Sequence, residues 1–236
     1  MFTRLSYELR VMGKRVIWLP IALAAGFIAF AFLLRFLGVH LERFISSGFE
    51  LFLPIVTGIV VATSATQDPA LEIQLTMPRK YHNTSILRLA LIVAWSIAFG
   101  LLISIIPTLL HLTFLPDQLK RTNSFGQFFG LQFSWIATTF WFVAVALVSS
   151  LLTRSRSASS AILGAVWIVQ ILFMTHLVET TSWLQPLFLF PTIVAPQISY
   201  WMTNRLEVLS TGIVLLPVGW WLLHNTEGLL KGASEE

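Results

Sequence analysis

Apolar residues fall along this chain in a few long blocks, and polar residues gather in the intervals between them. The first stretch is amphipathic. Phe2, Leu5, Leu9, Met12 and Val16 recur at steps of three and four, while Arg4, Glu8, Arg10, Lys14 and Arg15 fall largely away from that line. This periodicity predicts a helix over residues 1–15 that lies in a membrane interface with its basic side in water. The blocks that follow are long enough to cross a bilayer, since about 20 residues at 1.5 Å each match the ~30 Å hydrocarbon core. They predict six spans: Val16–Leu34, Phe49–Ala65, Leu87–Leu112, Phe125–Leu152, Ala158–Leu177 and Val208–Leu223.

The intervals add detail. Arg35, His40, Glu42 and Arg43 read as a short polar turn, with Glu50 at the mouth of the second span and Pro54 and Gly58 inside it. Both are tolerated where neighbouring helices satisfy the freed backbone groups. Pro116–Ser124 is a loop, and Thr153-Arg154-Ser155-Arg156-Ser157 a tight basic turn. The fourth span carries Gly126-x-x-x-Gly130, then Gln132 and Ser134. Small residues four apart let helix backbones approach, and an amide in lipid must find a partner. Gln170 is the amide of the fifth span. Residues 179–207 break the pattern: Leu187–Ala195 is about half a span, Pro186, Pro191 and Pro196 interrupt it, and Trp183, Tyr200 and Trp201 suit the interface belt. Re-entrant or surface-lying helices are expected there.

Thr66–Arg88 is the longest polar break on the N-terminal side. Asp68-Pro69 is a helix start, an N-cap acceptor followed by proline at the first helical position. A short helix from there ends before Pro78, and Arg79 and Lys80 sit where the helix dipole favours cations. One or two turns of helix held outside the bilayer are predicted within residues 67–84.

Composition agrees with this pattern. The chain of 236 residues is 56% hydrophobic and 11% charged, against roughly 25% charged in soluble domains. The expectation is an all-α integral membrane protein forming one transmembrane domain over residues 1–236. Cysteine is absent, which excludes disulfides, thiolate chemistry and Cys-based metal sites. No convincing cleavable signal peptide, internal repeat or low-complexity segment is visible. Arg4, Arg10, Lys14, Arg15, Arg79, Lys80, Arg88, Arg154, Arg156 and Lys231 fall on one side of the six-span topology. Arg35, Arg43, Lys120, Arg121 and Arg205 fall on the other. The excess places both termini in the cytoplasm, and it makes nucleic acid a poor explanation of the net charge of +4.

Catalytic and energy-coupling signatures are missing. There is no G-x-x-x-x-G-K-[ST] phosphate loop, H-E-x-x-H or G-x-S-x-G. The mid-span regions as drawn hold no carboxylate or histidine; Glu50 lies at a mouth, and His111, His176 and His224 lie at span ends. The His176–Glu179 pair alone makes no metal site. A transporter-like body with neither a nucleotide site nor a proton path points to energy from a partner.

The order of elements resembles the membrane (permease) subunit of type-2 ATP-binding-cassette (ABC-2) exporters. That family has a coupling helix between spans two and three with a pattern like acidic–x–x–Leu–Glu–x–x–Leu–x–x–Pro. Asp68-Pro69-Ala70-Leu71-Glu72-Ile73-Gln74-Leu75-Thr76-Met77-Pro78 matches it. Tyr200-Trp201-Met202-Thr203-Asn204-Arg205 is similar to the Tyr-Trp-x-x-Asn-Arg that precedes the last span in many such permeases. Pro69-Ala70 stands where Gly-Thr is common, and the basic residue usual just before this stretch is missing. The resemblance implies two permease subunits, identical or paralogous, lining a pathway, with an ATPase subunit under each that binds the ATP; no cofactor or metal belongs to this chain. Leu71, Leu75 and Met77 would anchor in the ATPase groove, with Asp68, Glu72, Pro78 and Arg79 shaping and rimming that contact. Thr57 and Gln170 would face the pathway, and the cell membrane is the implied location. The rival expectation is an energy-independent membrane protein, such as a secondary transporter, channel or assembly factor. A membrane enzyme is the third.

Overall fold

A computed structural model describes residues 41–66, 81–109, 112–173 and 187–224, with isolated positions between 18 and 37. Every regular element among them is helical. In chain order these are α1 (Leu41–Ser47), a π-helical turn (Gly48–Phe52), α2 (Leu53–Thr66), α3 (Tyr81–Leu109), α4 (Asp117–Lys120), α5 (Ser124–Thr153), α6 (Arg156–Leu172), α7 (Pro191–Val194) and α8 (Trp201–Leu222).

Four helices are long and apolar enough to cross a membrane: Glu42–Thr66, Asn83–Leu109, Ser124–Thr153 and Trp201–Leu222. They correspond to the second, third, fourth and sixth predicted spans, and the protein is a multi-helix, apolar bundle compatible with several passes. The fifth predicted span appears as α6, 17 residues long, with residues 174–186 outside the described set. Most of the first predicted span, the 1–15 helix and most of residues 67–84 also lie outside the described residues.

Two boundaries differ from the sequence expectation. The second span starts at α1, so Glu42 and Arg43 belong to a helix rather than a turn. Its first turn accommodates them: Glu42 sits at the positive end of the helix dipole, and the Arg43 guanidinium lies 5.0 Å over the Phe114 ring. The last span starts at Trp201, ahead of the expected Val208. Asn204 and Arg205 look too polar for a span, yet both are fully buried because they face the protein interior.

Helix α5 is the axis of the bundle, with α2 and α8 packed on it most extensively and α6 beside it. Its small and apolar residues Ala137, Phe142, Ala144 and Ala146 are buried completely. Close approach is set by glycines on the flanking helices. A Cβ at Gly212 of α8 would lie 3.1 Å from the Trp141 nitrogen, and one at Gly58 of α2 would lie 3.3 Å from the Phe142 carbonyl oxygen. Gly126 and Gly130 do not make this kind of seam within the chain. Gly130 faces Leu119 of α4, and Gly126 faces Thr122 and Asn123, so the pair packs against the entry to its own helix.

The connections are capped. Asn123 accepts from the Gly126 amide at 2.8 Å to open α5, and Ser155 accepts from the Ala158 amide at 3.3 Å to open α6. Between them Arg154 takes the left-handed conformation, φ 52°, and makes the tight turn the sequence suggests. At the opposite end α4 docks on the segment before α8: the Asp117 amide donates to the Pro196 carbonyl at 3.0 Å, and the Gln118 side chain bonds both Ser199 and Met202.

Candidate functional site

Residues Phe188–Phe190 are fully buried but not helical. Inside a bundle that excludes water, each irregular N–H and C=O must find an internal partner. The search for those partners defines the site. Gln170 of α6 clamps the strand-like stretch from one side, Nε2 donating to the Leu187 carbonyl at 2.7 Å and Oε1 accepting from the Leu189 amide at 3.2 Å. Asn204 of α8 donates to the Phe188 carbonyl at 3.1 Å. Arg205 donates through Nη2 to the Phe188 and Leu189 carbonyls at 3.2 and 3.0 Å.

The remaining guanidinium donors are also taken. Nε and Nη2 reach Asn204 Oδ1 at 3.2 and 2.8 Å. Nη1 faces the Ser134 carbonyl and Thr138 Oγ1, each at 3.0 Å, and Glu50 Oε1 at 3.1 Å. The planar five-donor fork of arginine suits such a task, where a lysine ammonium would reach fewer acceptors. Thr138 of α5 also lies 3.1 Å from the Leu189 carbonyl.

Glu50 sits on the π-helical turn, where the Leu53 amide bonds back to the Gly48 carbonyl and the Leu51 carbonyl accepts from the Trp167 indole at 3.1 Å. Its side chain is 1% exposed. Oε1 accepts from Arg205 and, at 2.9 Å, from Thr192 Oγ1 on α7. Thr192 in turn accepts from the Trp201 indole N–H at 3.0 Å. The amides of Thr192 and Ile193 face the carboxylate, but Oε2 is left without a hydrogen bond of ordinary geometry. Four elements that are distant in sequence, α5, α7, α8 and the π-helical turn, thus meet on one buried ion pair.

A cavity of about 40 Å³ lies beside this node. It is bounded by Phe49 on the π-helical turn, Ser104 and Thr108 on α3, Gln132 and Ser134 on α5, and Thr192 on α7, among others. Trp135 donates its indole N–H to Gln132 Oε1 at 2.9 Å, which turns the donor end of that amide elsewhere. Ser104, Thr108 and Ser134 each donate to a carbonyl of their own helix, which leaves hydroxyl lone pairs free. Its wall is mostly apolar, through Ile45, Pro107, Leu131 and Trp135, with these hydroxyls and the Gln132 amide set into it. That volume has room for about two or three waters, which the polar groups can hold.

No family model, curated protein or solved structure matches this chain. The site is therefore read from its own chemistry. Among the described residues no group of three or more His, Cys, Asp or Glu side chains is placed to hold a metal ion.

The residues expected to contact an ATPase, Asp68, Leu71, Glu72, Leu75, Met77, Pro78 and Arg79, lie outside the described residues. Thr57 is buried and its hydroxyl donates to the Leu53 carbonyl of its own helix at 2.8 Å. Gln170 is buried and engaged with residues 187 and 189. The two are not hydrogen-bonded to each other. Sequence reasoning missed the node itself. Glu50 was placed at a mouth; the helix extends roughly a turn or two further back than expected, which carries the carboxylate into the bundle. Arg205 was counted as a loop charge, although the Tyr200–Arg205 motif marked its neighbourhood.

Proposed function

We propose that this chain is the permease subunit of a type-2 ABC exporter: six spans, both termini cytoplasmic, paired with a second permease copy or paralogue and driven by a separate ATPase. The observation that carries the reading is the Asp68–Pro78 stretch, an acidic N-cap, a leucine–glutamate core and a proline stop, set between two long apolar helices. The buried node supports it mechanically. Glu50, Arg205, Asn204 and Gln170 tie the π-helical turn, α5, α6, α8 and the broken segment into one body, so a push on the segment after α2 moves them together. The cargo is a hydrophobic or amphipathic molecule.

The test is co-purification with the ATPase encoded beside it and assay of ATP hydrolysis in lipid, for the wild type and for Glu72→Ala with Leu75→Asp. Hydrolysis that depends on this chain and is lost in the double variant, with the complex intact, supports the proposal. Normal hydrolysis in that variant, or no associated ATPase, removes its central residues. A secondary transporter then comes first, and the buried Glu50–Arg205 pair is the observation in its favour, because ionisable groups inside a membrane bundle are costly and usually functional.

A further inference from the structure

The permease reading leaves Glu50 as a mechanical tie, but three features of its surroundings exceed that role. Oε2 is sealed from solvent and has no hydrogen bond of ordinary geometry. Buried oxygens left this poorly satisfied are uncommon in folded proteins and call for an explanation. The cavity, whose mostly apolar wall carries several hydroxyls, comes within one hydroxyl of the carboxylate, because Thr192 both lines it and donates to Glu50 Oε1. And Arg205 does not depend on Glu50 for acceptors: the Ser134, Phe188 and Leu189 carbonyls, Thr138 Oγ1 and Asn204 Oδ1 also receive its N–H groups. Neutralising Glu50 therefore leaves the guanidinium solvated by fixed dipoles.

We propose that Glu50 is a proton-binding site reached from the water of this cavity through the Thr192 hydroxyl. The hydroxyl has the bonding pattern a relay needs. Its one proton points at Glu50, one lone pair takes the Trp201 indole N–H, and a second lone pair remains on a residue that lines the cavity. A hydronium in the cavity gives its proton to Thr192 Oγ1 while the original Thr192 proton passes to Glu50 Oε1. The cavity is left with neutral water, the hydroxyl is restored, and the carboxylate becomes a carboxylic acid. The positive charge ends on the node, on Arg205, whose counter-charge is gone.

Among the described residues, Arg205 is the charged group in contact with Glu50. The other packed elements present hydroxyls, carbonyls and amides: Ser134 and Thr138 from α5, Thr192 from α7, and Asn204 from α8. Glu42 and Arg43, on the same helix, are exposed. Protonation is thus a two-group event, and it goes beyond the permease reading without depending on it.

Infrared difference spectroscopy on the full chain in lipid nanodiscs tests it. Acidification should produce the C=O stretch of a protonated carboxyl that is absent in Glu50→Gln and that shifts in D2O, which reports water access. Carbonyl-13C glutamate separates it from aspartate bands. After a rapid pH drop, Thr192→Val should reach the same amplitude about a hundredfold more slowly, the usual scale of a positioned proton-transfer group, while Thr192→Ser keeps the wild-type rate. A merely structural Thr192 would alter amplitude or stability, not this rate with serine rescue. If Glu50→Gln fails to fold, Glu50→Asp replaces it and must move the band in frequency. Absence of the band in wild type, its persistence in Glu50→Gln, an unmoved band in Glu50→Asp, or an unchanged rate in Thr192→Val overturns the proposal.

Discussion

The Glu50–Arg205 pair should respond asymmetrically to loss of either partner. Arg205→Met removes the one charge among the described residues that contacts the buried carboxylate, and two N–H contacts to Asn204 Oδ1. The carbonyls fare better: Phe188 keeps the Asn204 amide, Leu189 keeps the Thr138 hydroxyl, and Ser134 keeps its helical bond within α5. Stranding a buried charge costs about 3–5 kcal/mol. Glu50→Gln instead exchanges a charge-assisted bond of about 1.5–3 kcal/mol for a neutral one of about 0.5–1.5 kcal/mol. The expected losses are then about 3–5 kcal/mol for Arg205→Met and about 1–2 kcal/mol for Glu50→Gln. The double variant should be less damaged than Arg205→Met alone, because no charge is stranded. Equilibrium unfolding in mixed micelles, followed by far-UV circular dichroism, measures all three. Equal costs for the single variants, or a double variant equal to their sum, would refute this reasoning.

Two other outcomes are expected. Gly212→Val places a branched side chain against the Trp141 backbone; it should force α8 away from α5, cost about 1–3 kcal/mol by overpacking and lower thermal stability, and an unchanged melting curve would mean the two helices are not in close contact. Because the chain has no native cysteine, single cysteines report topology directly: Lys120→Cys should react with an impermeant maleimide added outside intact cells, and Lys231→Cys only after lysis. The reverse pattern inverts the orientation.

The long helices were legible because hydropathy over about 20 residues is a local property, and Asn83–Leu109 and Ser124–Thr153 need no distant information. The start of the second span was not. Glu42 and Arg43 read as part of a turn until Phe114 is available to cover Arg43 and to donate its amide to Ser46. The node was illegible for the same reason in stronger form. Asn204 and Arg205 are polar by every local scale, and distant partners such as the carbonyls of Phe188 and Leu189 and the carboxylate of Glu50 explain their burial. The Tyr200–Arg205 motif located these residues without revealing which way they point. Taking the buried Arg205 and Arg88 out of the loop charges still leaves an excess of basic residues on the side that the expected six-span topology assigns to the cytoplasm.

The ion pair joins positions separated by 155 residues. During synthesis, Glu50 enters the membrane long before Arg205 has been made. At roughly 5–20 residues per second, that wait lasts on the order of ten to thirty seconds. Throughout it the carboxylate must be tolerated beside water at the translocon or by early neighbours, since Thr192 and Trp201 arrive equally late. The polar core is therefore a late-closing joint: the first helices can insert and associate, but the protein's final shape is locked only when its last helix arrives.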